Sequence, residues 1–274
     1  FGALVIEPAA ATYAETTQVP DGQGTGDATR LTRAQATITA PAGAAGSGGT
    51  YREALAIGHK ITNLRWTDGT AIANVNQGEL GREGAEDSGH AGFNYAMEPS
   101  WFRFKLPPDV PFGNAGTPNS FGSVPNPQAM YANLLVAGEP NSLPGGDPQT
   151  PVFLANAGQA SRIHVLNGAS ADRDGTFILH GHVWQRDPFV CPGESDLGLT
   201  GLCLDSAETV DSTALGLNPI GKWMGGEEGM GHAYGHWPIL FNAGGTGGVT
   251  GDYLFRDYAP NGSRNGMFGI LRVE

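Results

Sequence analysis

Lysine is scarce in this sequence. Only Lys60, Lys105 and Lys222 occur in 274 residues, none in a basic run, and the formal net charge is −12. A phosphate backbone is held by clustered lysine and arginine, so the composition argues against a nucleic-acid partner. Long apolar runs are missing as well: none approaches the roughly 20 residues that a membrane-spanning helix needs. Cysteine is limited to Cys191 and Cys203. No GxSxG, HExxH, P-loop or CxxC pattern occurs, which removes the commonest signatures of serine hydrolases, zinc proteases, nucleotide-binding enzymes and dithiol redox proteins. The Gly-rich run 244–248 lacks the strand-then-helix setting that phosphate binding requires.

Helix-period patterning is equally sparse, whereas 43 glycines and 19 prolines supply many turns. With 39% hydrophobic residues the chain can bury a sizeable core. These features predict an all-β protein. The expected strands include 55–59, 61–66 with an Asp68-Gly69 turn, and 101–104. A later series is expected at 150–155, 162–166, 176–185, 236–241, 251–255 and 267–273. Short strands at turn-rich spacing fit a β-sandwich. Residues 76–92 read as loop, and 105–148 as a long loop with one short helix near 127–135. Residues 188–231 read as an insertion between strands, a length usually tied to function or an interface.

The two ends of the chain repeat one phrase. Phe1-Gly2-Ala3-Leu4-Val5-Ile6-Glu7 matches Phe268-Gly269-Ile270-Leu271-Arg272-Val273-Glu274 in register. The repeat predicts duplicated architecture, with 1–8 as the closing strand of a preceding domain and 51–274 as the main domain. Between them, 9–50 reads as an N-terminal connector with a short edge strand at 36–40. The chain opens on Phe1 without a signal-peptide pattern and reads as a processed product or a segment. Cys191 and Cys203 flank a Gly-rich loop. A disulfide between them is the leading reading and points to an extracytoplasmic location; free thiols or soft metal ligands are the rival.

Several phrases together carry a resemblance. They are Tyr51-Arg52-Glu53, Asn94-Tyr95 with Glu98-Pro99, the strand 177–185 with its Leu179-His180-Gly181-His182 tetrad, 251–257 and 266–273. In this order they resemble the large multidomain bacterial multicopper oxidases, including the type linked to manganese oxidation. The resemblance implies a cupredoxin-like Greek-key β-sandwich with long loops. It also implies an assembled enzyme that takes single electrons at one copper, passes them to a three-copper cluster and reduces dioxygen to water. Copper-bearing domains of that family read HPxHxHG in the first motif. Here His180 takes the last histidine's place, and Gly175 and Ile178 stand where the other two belong. The second motif falls on Arg256, Asp257 and Tyr258, with Met267 near the axial position, so Asp257 replaces the thiolate that a blue-copper centre needs.

The metal candidates are therefore few. His180 and His182, at i and i+2, are expected on one face of a strand, with His232, His236, Glu227 or Glu228 as a conceivable further ligand. The competing reading is that His180 and His182 hydrogen-bond backbone or carboxylates at a domain contact. Arg256 and Asp257 are expected to pair with each other or with neighbours. His59, His90 and His164 read as isolated. The sequence thus favours a scaffold and domain-interface segment of a copper-dependent oxidase, partnered by the remaining cupredoxin domains. The alternatives are a non-enzymatic cupredoxin-like binding or structural module and, with less support, a cupin-like metal enzyme.

Overall fold

The computed structural model describes residues 3–7, 9–15, 34–41, 49–61, 64–72, 90–104, 106–108, 148, 150–168, 176–185, 223–228, 235–258 and 265–274. The first sheet contains β1 (Thr12–Glu15), β2 (Gln35–Ala40), β3 (Gly49–Ile61), β4 (His90–Phe93), β6 (Ala160–Asn167) and β11 (His236–Asn242). The second contains β5 (Val152–Ala155), β7 (Thr176–Leu179), β10 (Glu227–Glu228), β12 (Gly251–Asp257) and β13 (Phe268–Val273). A small ladder pairs β8 (Trp184–Gln185) with β9 (Trp223–Met224), and one short helix, α1, covers Ser100–Arg103. The expected all-β sandwich is what forms.

The first sheet runs β1-β2-β3-β6-β11, with β4 also against β3; the second runs β10-β7-β12-β13-β5. Strands distant in sequence lie side by side: β3 pairs β6 in parallel, and β13 pairs β5 in parallel. Such non-consecutive neighbours belong to Greek-key sandwiches rather than to meanders. Alternation along each strand turns one face inward. Ala54, Ala56, Phe93, Ile163, Val165, Ile239 and Phe241 of the first sheet meet Phe153, Phe177, Leu179, Phe255, Leu271 and Val273 of the second. Phe255 is the hub. It stacks on Phe153 at 5.2 Å between ring centres and on Phe177 at 6.0 Å, and tilts against Phe93 at 5.5 Å. Gly269 makes this possible, because a Cβ there would lie 2.1 Å from the Phe255 ring.

Two side-chain amides stitch backbone edges. Gln35 Nε2 donates to Val152 O (3.3 Å), and Gln35 Oε1 accepts from Leu154 N–H (2.8 Å), so the side chain caps the open edge of β5 as a strand would. Arg52 reinforces it with Nε to Leu154 O (2.7 Å) and Nη2 to Gln35 Oε1 (2.6 Å). Asn94, at φ +55°, does the same for β3: Oδ1 accepts from Ile57 N–H and Nδ2 donates to Leu55 O.

Several sequence expectations change here. Residues 100–103 form a helix, not a strand. Pro99 starts the turn, Arg103 N–H returns to Pro99 O, and the Arg103 guanidinium meets Glu98 at 3.1 Å with both side chains buried. Four residues of alternation cannot distinguish the two states. The strand at 36–40 is not an edge, since β1 pairs on its far side. The stretch 9–50 supplies β1 and β2 to the first sheet. His90–Phe93, read largely as loop, is β4, antiparallel to the end of β3. The Asp68-Gly69 turn forms as expected, with Asp68 Oδ1 accepting from Thr70 N–H at 2.9 Å. The helix expected near 127–135, the Cys191–Cys203 pair, Gly175 and His232 lie outside the described residues.

Candidate functional site

Strand β7 stops at Leu179, and the histidine tetrad is a turn. Gly181 has φ +74°, and a Cβ on it would approach the Tyr253 ring to 3.0 Å. The left-handed glycine sends its neighbours apart. The i, i+2 rule that places His180 and His182 on one face holds only for extended backbone, so that expectation fails. His180 is exposed, and His182 is buried. His182 packs edge-on against Phe241 and Tyr253, with ring centres 5.0 and 4.6 Å away.

Both ring nitrogens of His182 are engaged. Its Nδ1–H donates to His180 O (3.0 Å), and its Nε2 accepts from Gly244 N–H (3.0 Å). These partners define the neutral tautomer. Burial holds its pKa below the ordinary histidine value, although the bond to His180 O works the other way. His180 Nε2 accepts from Arg256 Nε at 3.2 Å. Its pKa is lowered by burial and by the guanidinium beside it.

The described residues Ile178, Arg256, Asp257, Tyr258 and Met267 lie near one another, where β7, β12 and the start of β13 meet. Ile178 pairs with Arg256 and Phe177 with Asp257 across β7 and β12. Asp257 is buried, and its Oδ1 accepts from Thr176 N–H at 3.0 Å. Asp257 N–H donates to Met267 O (3.2 Å), and Tyr258 N–H to Thr176 O (2.7 Å). Met267 belongs to the core, while Tyr258 is exposed, with the Arg256 guanidinium 5.2 Å from its ring centre. Arg256 Nη1 reaches the backbone carbonyls of Asp257 and Tyr258 at 3.4 Å each. These donors do not fit a copper ion. The imidazole of His182 has no lone pair to spare, a guanidinium occupies His180 Nε2, and Asp257 Oδ1 accepts from the Thr176 backbone. Among the described residues no three His, Cys, Asp or Glu side chains converge for a metal.

A second cluster was not anticipated. On the face of the first sheet opposite the core, Glu53 Oε1 meets His164 Nε2 at 2.9 Å and Arg162 Nη1 at 3.4 Å. His164 Nδ1 then meets His236 Nε2 at 3.3 Å, the two rings stacked at 5.5 Å. His164, read as isolated, is thus the centre of a Glu-His-His chain, and His236 is its outer member. The register Glu53↔Arg162, Leu55↔His164 and Pro238↔His164 assembles it. Only the alternating polar residues Tyr51 and Glu53 hint at it in the sequence. Strand β10, which carries Glu227 and Glu228, pairs instead with β7, in the other sheet.

The N-terminal segment joins this cluster. Tyr51 Oη donates to Glu7 Oε2, and Arg162 lies over the Tyr51 ring at 4.7 Å. Glu7 is pushed up to about 7 by burial and by its hydrogen bond with Glu53. Burial pushes Glu53 up as well, but hydrogen bonds to His164 and Glu7 and the positive charges of His164 and Arg162 prevail, holding it below its ordinary value. The two carboxylates therefore titrate as a coupled pair, Glu7 raised and Glu53 lowered. Burial, together with Glu7, raises the Tyr51 pKa.

His59 and His90 are both buried; among the described residues the His90 ring finds no hydrogen-bond partner, and the His59 ring has only a weak interaction with the Ile57 backbone. His59 stacks on Tyr95 and His90 packs on Trp101. Burial lowers both, His90 to about 4, so both are neutral packing groups at neutral pH.

No protein-family model matches the sequence. No curated protein resembles it at a significant level. Among solved structures it is similar to a multicopper oxidase with a TM-score of 0.37 and 9% identity, over 88% of this chain and 56% of that one. It is also similar to Fet3p, a multicopper oxidase that functions in iron import (TM-score 0.36, 13% identity, 81% of this chain, 31% of that one). A third is the copper-containing nitrite reductase of Thermus scotoductus SA-01 (TM-score 0.33, 14% identity, 81% and 30%). The chain thus spans 56% or less of these proteins' length.

Proposed function

We propose that this chain is a cupredoxin-like segment of a multidomain multicopper oxidase of the large bacterial, manganese-linked type, and that it serves as scaffold and domain interface. The assembled enzyme oxidises a metal ion or small reductant and reduces dioxygen to water. The observation that carries the scaffold role is the commitment of the motif residues to structure. His182 is tied to His180 O and Gly244 N–H, Asp257 to Thr176 N–H, and Arg256 to His180. A buried polar group satisfied in this way holds strand ends in register. The His182 imidazole, with both nitrogens engaged, has no free lone pair for a metal. Copper, when bound in the assembly, supplies the electron transfer; the residues here orient β7, β12 and the loop at Gly244.

The same reading implies an extracytoplasmic location, where a Cys191–Cys203 disulfide would persist. Metal content and oxygen consumption of the native assembly test it. The expected result is an assembly that contains copper and consumes oxygen, with copper content unchanged by His180→Ala. Copper lost stoichiometrically in that variant would make His180 a ligand and overturn the scaffold role. A copper-free chain with no oxidase partner would leave the non-enzymatic binding module as the answer.

A further inference from the structure

We infer that the segment Ala3–Glu7 is a seam between two β-sandwiches, and that Leu4 and Ile6 are core residues of the second one. This rests on the multidomain part of the proposed function and adds the contact surface. The in-register repeat gives each residue a counterpart. Leu4 matches Leu271 and Ile6 matches Val273. In β13 those counterparts are core residues, each 2% exposed. Leu4 is 87% and Ile6 84% exposed. Of the alternate residues, Ala3 is exposed, but Val5 and Glu7 are half-buried, and Tyr51 Oη, on the outer face of the first sheet, donates to Glu7.

Val5 and Glu7 are therefore docked on this sandwich, while Leu4 and Ile6 present apolar side chains whose counterparts β13 buries. Single exposed apolar residues are ordinary. An alternating pair that matches a fully buried pair elsewhere in the chain is not accounted for by chance exposure alone. The twin also specifies the occupant. Strand β13 lies between antiparallel β12 and parallel β5 and is the last strand of its sandwich. By the same plan, 3–7 completes a sheet of a sandwich that precedes it in the same polypeptide, with Leu4 and Ile6 pointing into that sandwich. The Tyr51–Glu7 hydrogen bond then fixes where the two bodies meet.

A photoreactive benzoylphenylalanine placed singly at positions 4, 5 and 6 of the full native polypeptide tests this. Positions 4 and 6 are expected to crosslink to one sandwich N-terminal to this one, and position 5 to the outer face of the first sheet near Tyr51. Crosslinks from 4 and 6 to their own sheet, to a second copy, to a separate chain or to nothing would overturn the inference. The double variant Leu4→Lys/Ile6→Lys should leave the thermal midpoint of the 274-residue chain unchanged and lower that of the longer polypeptide. A lowered midpoint in the short chain would show both residues packed at home and sink the idea. The two readings fail separately. A copper-free assembly with the expected crosslinks refutes the oxidase and keeps the seam; a copper-loaded oxidase without them does the reverse.

Discussion

Gln35→Ala should be among the most costly single substitutions in the chain, although residue 35 lies in a stretch that reads as a connector. Gln35 is 3% exposed and makes three contacts: to Val152 O, from Leu154 N–H and from the Arg52 guanidinium. Truncation leaves the Leu154 N–H without its acceptor, a loss of about 1–3 kcal/mol for a buried group. It also removes a hydrogen bond to a charged partner, about 1.5–3 kcal/mol. Partial relaxation and the bonds Arg52 keeps to Leu154 O and Thr37 reduce the sum, so a loss of about 3–5 kcal/mol is expected. Against a typical stability of about 5–15 kcal/mol, that is a large fraction. Urea denaturation should show a lower midpoint with an unchanged slope. Gln35→Glu, which keeps an acceptor for Leu154 N–H and Arg52, should lose less. A loss under about 1 kcal/mol for Gln35→Ala would refute the reasoning, because the edge of β5 would then be held by something else.

Three further outcomes follow from the geometry. Gly181→Val should destabilise by about 1–3 kcal/mol, from a β-branched residue at positive φ and a clash with the Tyr253 ring, and a thermal midpoint within error of the parent would contradict it. Glu98→Ala should cost about 3–5 kcal/mol by removing the carboxylate from buried Arg103, measured by denaturant unfolding; a neutral result would mean that the pair is not buried in solution. The Glu7 carboxyl carbon should titrate near 7 by NMR. A folded pKa raised from 4.5 contributes stability that is fully present below about 4.5 and lost as pH rises through about 7, whereas the lowered Glu53 contributes stability lost as pH falls through its own value. Protection of the residue 3–7 amides, measured against their intrinsic exchange rates, should accordingly be greatest on the acid side of neutrality, and a Glu7 carbon titrating in the ordinary range would rule the coupling out.

The sequence by itself determined the class of fold and most of the strands, because turn residues and alternating apolar positions act over a few neighbours. It also carried the repeat between the two ends. What it mistook was local as well. Residues 101–104 alternate like a strand, but Pro99 and the Glu98–Arg103 pair wind them into α1. His180 and His182 looked like a pair until the left-handed Gly181 divided them.

Only the tertiary structure could decide which distant residues meet. Gln35 reaches β5 across 119 positions, and Glu53 reaches His164 across 111. Both contacts depend on the register of strands that no local pattern specifies, since the pairing partners of β3 and β5 are set by how two whole sheets close over one core. Exposure was decided there too. The sequence shows Leu4 and Leu271 as equals, and packing alone makes one of them core and leaves the other facing outward.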